Sequence, residues 1–93
     1  MTGHDIFDAI SDGNRRYLLE ELRRGPKTVN ELANGLPVSR PAVSQHLKVL
    51  LEANLVTVKA QGTRRIYDID ELGFTRLNIW IDQFWSPDEQ AQR

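Results

Sequence analysis

Apolar residues recur three and four positions apart along most of the chain, which is the spacing of amphipathic helices. Four such stripes precede residue 55. Their members are Ile6, Phe7 and Ile10; Leu18, Leu19 and Leu22; Val29, Leu32, Ala33 and Leu36; and Val43, Leu47, Leu50 and Leu51. Asp12 is placed to cap the second helix, and Thr28–Glu31 has the capping-box pattern for the third. The pattern predicts four short helices, and 93 residues leave room for one domain, 1–93.

The fourth stripe has a second, polar face. Ser39 is placed as N-cap of that helix, and Pro41 lies in the first turn, where a missing N–H costs nothing. Asn54 follows the helix at a position that favours the left-handed region. Two short helices therefore meet across residues 36–38, and the second carries hydrogen-bonding side chains outward. This arrangement is typical of a helix-turn-helix.

Residues 55–60 and 65–69 are rich in β-branched and aromatic types, and the Gln-Gly-Thr-Arg run at 61–64 lies between them. This composition predicts a β-hairpin with a basic tip. The expected fold is mainly α with a small β-hairpin, a winged helix-turn-helix in the order α, α, α, α, β, β, α.

The last predicted helix, from about Glu71 to Trp85, is apolar on more than one face. Leu77, Trp80, Ile81 and Phe84 form one stripe, and further apolar residues widen it; these are Leu72, Phe74, Ile79 and Trp85. A helix of this kind needs burial on two sides. One small domain covers one side, so we expect a second copy of the chain to cover the other, the alternative being a helix wrapped by its own domain.

The charges are unevenly distributed although the net charge is only −1. Residues 39–67 hold five basic residues against one acid, a balance of +4, while residues 68–93 hold six acids against two bases, a balance of −4. A basic middle between acidic flanks indicates a surface for an anion.

Several protein classes are disfavoured by the composition. The chain has no cysteine, which excludes a disulfide scaffold and fits a reducing cytoplasm. We expect no secretory signal at the start and no membrane span. Asp68, Asp70 and Glu71 cluster, but acids at a strand-to-helix junction usually act as caps. With no glycine-rich phosphate loop and no nucleophile–histidine–acid set, we expect no enzyme activity.

Three segments resemble the ArsR/SmtB-type winged helix-turn-helix repressors: FDAISD at 7–12, RRYLL at 15–19 and VSRPAVSQHLKVL at 38–50. Leu55, Val56, Gly62 and Tyr67 fall where that family's wing pattern places them. The resemblance implies a homodimeric, cytoplasmic repressor of transcription that binds double-stranded DNA. It also implies that the first and last helices form the dimer interface. The expected interface residues are Ile6, Phe7, Ile10, Leu77, Trp80, Ile81, Phe84 and Trp85.

The resemblance places the fourth helix in the major groove and the wing near the flanking backbone. Arg40, Ser44 and Gln45 have the donors and acceptors for base edges, and Pro41 suits a thymine methyl group. The expected phosphate contacts are Ser39, Lys48, Lys59, Thr63, Arg64 and Arg65. His46 is expected either to pack at the helix edge or to donate to a phosphate.

Metal sensors of this family use cysteines at the start of the third helix, or histidine and acid pairs on the last helix. The matching segment Thr28–Glu31 has no cysteine, and the last helix has no histidine. We therefore expect no metal site and no cofactor, and the sequence names no inducer. The alternative function, a winged-helix module that binds protein, predicts an apolar or acidic outer face on the fourth helix, which the sequence disfavours.

Overall fold

Five helices and three strands build residues 5–84, the part of the chain that this computed structural model describes. The helices are α1 (Ile6–Ile10), α2 (Gly13–Leu22), α3 (Val29–Ala33), α4 (Arg40–Glu52) and α5 (Glu71–Asp82). The strands are β1 (Lys27–Thr28), β2 (Val56–Gln61) and β3 (Arg64–Ile69). The fold is mostly helical with a small antiparallel sheet, which confirms the predicted fold class.

Polar side chains begin the helices at the predicted residues. The Asp12 carboxylate accepts two backbone hydrogen bonds from the first turn of α2, at 2.9 and 3.1 Å. The bond from the Arg15 N–H holds the pKa of Asp12 below its ordinary value of 3.8. Thr28–Glu31 forms a reciprocal capping box, and Ser39 accepts from the first turn of α4 at 3.2 Å. These caps satisfy N–H groups that no helix can satisfy internally.

The apolar stripes of α2, α3 and α4 meet in one core. Its largest fully buried side chains are Leu18, Leu22, Leu32, Val43, Leu47, Leu50 and Leu55. Each such side chain contributes about 1.5 to 3 kcal/mol when it leaves water. Because the core takes one face of α4, the opposite face is left to solvent.

The sheet has three strands, whereas the sequence predicted a two-stranded hairpin. β3 is central and pairs antiparallel with β2 on one side and with β1 on the other. Tyr67 of β3 lies opposite both Lys27 and Val58 and is buried. The prediction was wrong here because β1 has only two residues and shows no alternation, and Thr28 also serves as the cap of α3. The element order is corrected accordingly.

The turn after α4 sets the start of the wing and of the last helix. Asn54 has φ of +61°, as predicted, and the Leu55 carbonyl accepts a hydrogen bond from the Asp70 N–H at 2.9 Å. The backbone of α5 then crosses the Asn54 carbonyl at Gly73, where a Cβ would overlap the carbonyl oxygen. Gly73 is the buried residue of α5. The helix is thus held to the domain by a close backbone approach near its start.

The predicted last helix is shorter in the structure. α5 ends at Asp82, whereas the pattern predicted a helix to Trp85, which lies outside the described residues. Within residues 5–84, no helix has both the length and the apolar character needed to cross a membrane.

The close approach at Gly73 yields a stability prediction. Gly73→Ala forces a methyl group against a backbone oxygen, so we expect it to cost about 1 to 3 kcal/mol of the free energy of unfolding. Gly13→Ala is the matched control, because a Cβ at Gly13 meets only the side chain of Arg16 at an ordinary distance of 3.6 Å. That control should be neutral or stabilising by up to about 1 kcal/mol. Urea unfolding measures both, and equal midpoints for the two variants would contradict the prediction.

Candidate nucleic-acid interface

One face of α4 projects a ridge of polar side chains into solvent. Residues four apart on the helix share a face. The exposed members, which we call the α4 face, are Arg40, Pro41, Ser44, Gln45 and Lys48. Ser39 is exposed next to them and caps the helix. The predicted amphipathic character of α4 is confirmed, and contact of these residues with DNA stays a prediction.

The wing carries the second group of predicted residues. A two-residue turn, Gly62–Thr63, joins β2 to β3, and Gly62 has φ of +63°, which residues with a side chain rarely adopt. Arg64 and Lys59 lie on one face of the hairpin, and Arg65 lies on the other. All four predicted wing residues are exposed, but the strand alternation separates Arg65 from the pair that shares a face.

An open cleft brings the start of α4 and the wing tip together. It has a volume of about 400 Å³ and is lined by residues 28–31, Arg40 and residues 63–65. Its arginines are distant in sequence, since Arg40 precedes Arg64 by 24 residues and Arg65 by 25. Three arginines contribute to the lining of this one concave surface, and guanidinium groups are well suited to bind phosphates. We call this surface the arginine cleft.

Glu31 places a negative charge in the arginine cleft, whereas its sequence pattern indicates only a capping role. Its Oε1 accepts from the Thr28 N–H at 2.9 Å and from the Thr28 hydroxyl at 3.0 Å. These bonds, first that from the backbone N–H, hold the pKa of Glu31 below its ordinary value, and the charges of Arg64 and Lys27 add to the effect. The capping-box pattern identifies this residue, but no local signal reveals its nearness to the wing.

His46 lies apart from the α4 face and packs toward α2. Its side chain is 19% exposed, and its Nδ1 lies 3.3 Å from Arg15 Nη1 and 4.0 Å from Asp12 Oδ2. The sequence left two roles open for His46, and the structure shows Nδ1 packed against α2. Donation from His46 to a phosphate stays a prediction.

Three aromatic rings join α1 to α5 at the surface. Phe7 and Trp80 lie edge to face with centroids 4.7 Å apart, and Trp80 and Phe84 do so at 4.9 Å. Their exposed fractions are 46%, 44% and 57%, so we call them the aromatic patch. Among the other predicted interface residues, Ile81 is exposed beside the patch, while Ile6, Ile10 and Leu77 are half-buried. The predicted residue Trp85 lies outside the described range.

Residues 5–84 contain no group of three or more histidine, cysteine, aspartate or glutamate residues that could hold a metal ion.

Residues 12–58 of the chain match the family described as "Bacterial regulatory protein, arsR family". Over 80 residues the chain is 52% identical to the HTH-type transcriptional regulator Rv2034 of Mycobacterium tuberculosis, covering 86% of this chain and 75% of that protein. It is 31% identical over 81 residues to the transcriptional repressor SdpR of Bacillus subtilis, covering 87% and 90%.

Solved structures agree with the fold. A crystal structure described as a possible transcriptional regulator for arsenical resistance superposes with a TM-score of 0.80 at 40% identity, covering 95% of this chain and 92% of that one. The solution structure of Mb0332 from Mycobacterium bovis, described as a homodimeric winged helix-turn-helix DNA-binding domain, superposes with a TM-score of 0.64 at 23% identity, covering 82% and 75%. The second likeness concerns the fold alone.

The position of Glu31 yields a pH prediction. Glu31→Gln keeps an acceptor for Thr28 but removes the charge and its titration. Because folding lowers this pKa, the carboxylate stabilises the fold above the ordinary value of 4.5, and that contribution is lost as pH falls through the folded-state pKa. We expect a lower urea midpoint for Glu31→Gln at neutral pH and a shrinking difference at more acidic pH. A constant difference at every pH would be the contrary result.

Proposed function

The chain belongs to the ArsR family of bacterial regulatory proteins and is a transcriptional regulator with a winged helix-turn-helix DNA-binding domain, and we propose that it acts as a homodimeric repressor on an inverted-repeat operator. Its relatives are transcriptional regulators, which are not enzymes. The observation that carries the proposal is the joint exposure of the α4 face and the wing tip around the arginine cleft.

The α4 face has the chemistry for base recognition. A major groove is about 12 Å wide and admits one α-helix. The Gln45 amide can pair with adenine, and Arg40, at the N-terminal end of the helix, can donate twice to guanine. Ser44 lies between them along the same face and can donate or accept. In this arrangement the first two turns of α4 contact base edges.

The wing and the helix ends supply phosphate contacts. Arg64 and Lys59 share one face of the hairpin, so one backbone strand can meet both. Ser39, at the capped start of α4, and Lys48, one turn beyond Ser44, flank the base-contacting residues. Such contacts fix the position of the protein on the duplex without carrying sequence information.

The aromatic patch supports a dimer. Phe7, Trp80 and Phe84 expose about half of their surface in the single chain, and aromatic residues are enriched at the cores of protein interfaces. A twofold-symmetric dimer through α1 and α5 presents two copies of α4, and its site is then an inverted repeat with half-sites about one helical turn, or a multiple of it, apart. Occupation of such a site near a promoter represses transcription. This activity belongs in the cytoplasm, where bacterial DNA lies.

A binding titration against random and selected duplexes tests the function. For a DNA regulator, the logarithm of the affinity for random duplex falls linearly and steeply with the logarithm of salt concentration, and one selected sequence binds more tightly than random DNA. A winged-helix module that binds protein shows neither result, and finding neither would reject the proposal.

Gln45 and Arg64 should fail in different ways. Gln45→Ala removes a base contact, so we expect a loss of about 1 to 3 kcal/mol on the operator and little change on random DNA. Arg64→Ala removes a phosphate contact, so both DNAs should bind more weakly, and the log–log salt slope should fall by about one per arginine, or about two per dimer. Fluorescence anisotropy over a salt series measures both quantities. The exchange of these two outcomes would mean that the wing, through a minor-groove arginine, selects the sequence.

The aromatic patch should hold the dimer together. Trp80→Ala combined with Phe84→Ala removes two rings from the proposed interface, so we expect monomer in sedimentation and a loss of operator binding. Leu72→Ala is the matched control, since Leu72 is an exposed apolar residue of α5 outside the patch. It should leave the dimer intact. An intact dimer in the double variant would move the interface to another surface.

A further inference from the structure

We infer that Arg15 is a positioning residue for DNA recognition, which acts through His46 to fix the orientation of α4 relative to α1. This inference rests on the proposed function, and it concerns operator preference rather than general affinity for DNA. Of the two roles that the sequence leaves open for His46, it takes packing inside the protein rather than donation to a phosphate.

Arg15 holds the end of α1 with two donors. Its Nε donates to the Ala9 carbonyl at 2.8 Å, and its Nη2 donates to the Asp8 carbonyl at 3.1 Å. These carbonyls belong to the C-terminal end of a helix of only five residues. A helix this short does not persist by itself, so its position depends on its contacts. Arg15 is therefore one of the groups that place α1 on α2.

The third donor of the same guanidinium reaches α4. Arg15 Nη1 lies 3.3 Å from His46 Nδ1. A guanidinium group only donates, so a hydrogen bond between these atoms requires Nδ1 to accept, which corresponds to the ring tautomer with its proton on Nε2. One side chain of α2 thus contacts both α1 and α4. We call the contact between Arg15 and His46 the link.

Asp12 holds this arrangement in place. Its Oδ2 accepts from the Arg15 backbone N–H at 3.1 Å and lies 4.0 Å from His46 Nδ1. The carboxylate that caps α2 is therefore next to both partners of the link. Because the cap fixes the backbone at Arg15, the guanidinium begins from a defined position.

Contacts with bases and contacts with phosphates differ in how much change of geometry they tolerate, and this difference determines the effect on binding. His46 directly follows Gln45, so a small rotation of α4 at His46 moves the Gln45 amide relative to a base edge. A paired amide–base contact weakens steeply when its angles change, whereas a charge near a phosphate tolerates such a shift. Loss of the link should therefore lower the preference for the operator and leave the affinity for random DNA unchanged.

The link also reaches the proposed dimer interface. Phe7 of α1 packs against Trp80 of α5 at 4.7 Å, within the aromatic patch. Arg15 therefore joins the helix that carries Phe7 to the helix that carries Gln45. In a dimer, these contacts set how the two copies of α4 are oriented toward their half-sites.

Paired substitutions at His46 test the inference. His46→Asn retains an acceptor near the position of Nδ1 and removes the Nε2 proton, while His46→Ala removes both. We expect His46→Ala to lower the ratio of operator affinity to random-DNA affinity by about tenfold or more, because the loss of one base contact has an effect of that size. His46→Asn should keep this ratio within about twofold of the wild type. If both variants lose affinity for both DNAs and the salt slope falls, His46 contacts a phosphate and the inference is wrong.

Arg16 supplies a matched control for Arg15. Arg16 lies next to Arg15 on α2 and also holds the end of α1, since its Nη1 donates to the Ile10 carbonyl at 2.8 Å. Arg15→Ala should lower operator preference as His46→Ala does, and the double variant should be no worse than either single one. Arg16→Ala should keep the wild-type preference. An equal loss in Arg16→Ala would assign the effect to anchoring of α1 alone and overturn the inference.

A readout without DNA separates this inference from the proposed function. Nitrogen chemical shifts of the His46 ring report which nitrogen carries the proton, and we expect the Nε2-protonated form in the wild type and a mixture of tautomers in Arg15→Ala. An unchanged tautomer in a folded Arg15→Ala variant overturns the link. If the wild type has this tautomer but prefers no duplex over another, the proposed function is rejected. The role of Arg15 in operator preference is then rejected as well.

Discussion

The burial of three α4 side chains, Val43, Leu47 and Leu50, is the constraint on which the other features depend. Each has lost all exposure to solvent, and their spacing of four and three residues fixes the rotation of the helix about its own axis. A rotation by one residue, about 100°, would bring polar side chains into the core, where groups without partners are costly. The α4 face is therefore what remains after the core has been formed. The residues proposed to contact bases are oriented by leucines and a valine that never approach DNA.

The same constraint continues into the wing and the last helix. α4 ends at a left-handed Asn54, and the next residue, Leu55, is buried in the core while its carbonyl accepts from Asp70. Gly73 then packs on the Asn54 carbonyl. One turn of chain thus fixes the base of the hairpin and the start of α5. Beyond Gly73 most of the apolar residues of α5 are exposed, so the surface proposed for the dimer lies on this helix and not in the core.

Local signals were sufficient for the helices and insufficient for the contacts between them. Caps such as Asp12 and Ser39 are decided within four residues, and so they could be predicted, as could the stripes that form the core. The strand β1 was missed because its pairing with Tyr67 joins residues 40 apart in sequence. The surroundings of His46 were missed for the same reason, since Arg15 is 31 residues away. Pattern reasoning identified which side chains are polar, whereas only the fold determines which of them meet.

The net charge of −1 is compatible with a polyanionic partner because acids and bases occupy different positions in the fold. Asp12, Glu31 and Asp70 accept hydrogen bonds at the starts of α2, α3 and α5, where carboxylates offset the positive ends of the helices. Their charge is thus directed toward backbone N–H groups. Arg40, Arg64 and Arg65 instead line an open cleft, and Glu31 is the one acid among the residues that line it. Glu31 and Arg64 are close enough for their charges to interact, so in the proposed complex Glu31 lowers the attraction of the cleft for the phosphates of any duplex. In the proposed complex, sequence preference then depends more heavily on Ser44 and Gln45, which belong to the α4 face and do not line the cleft.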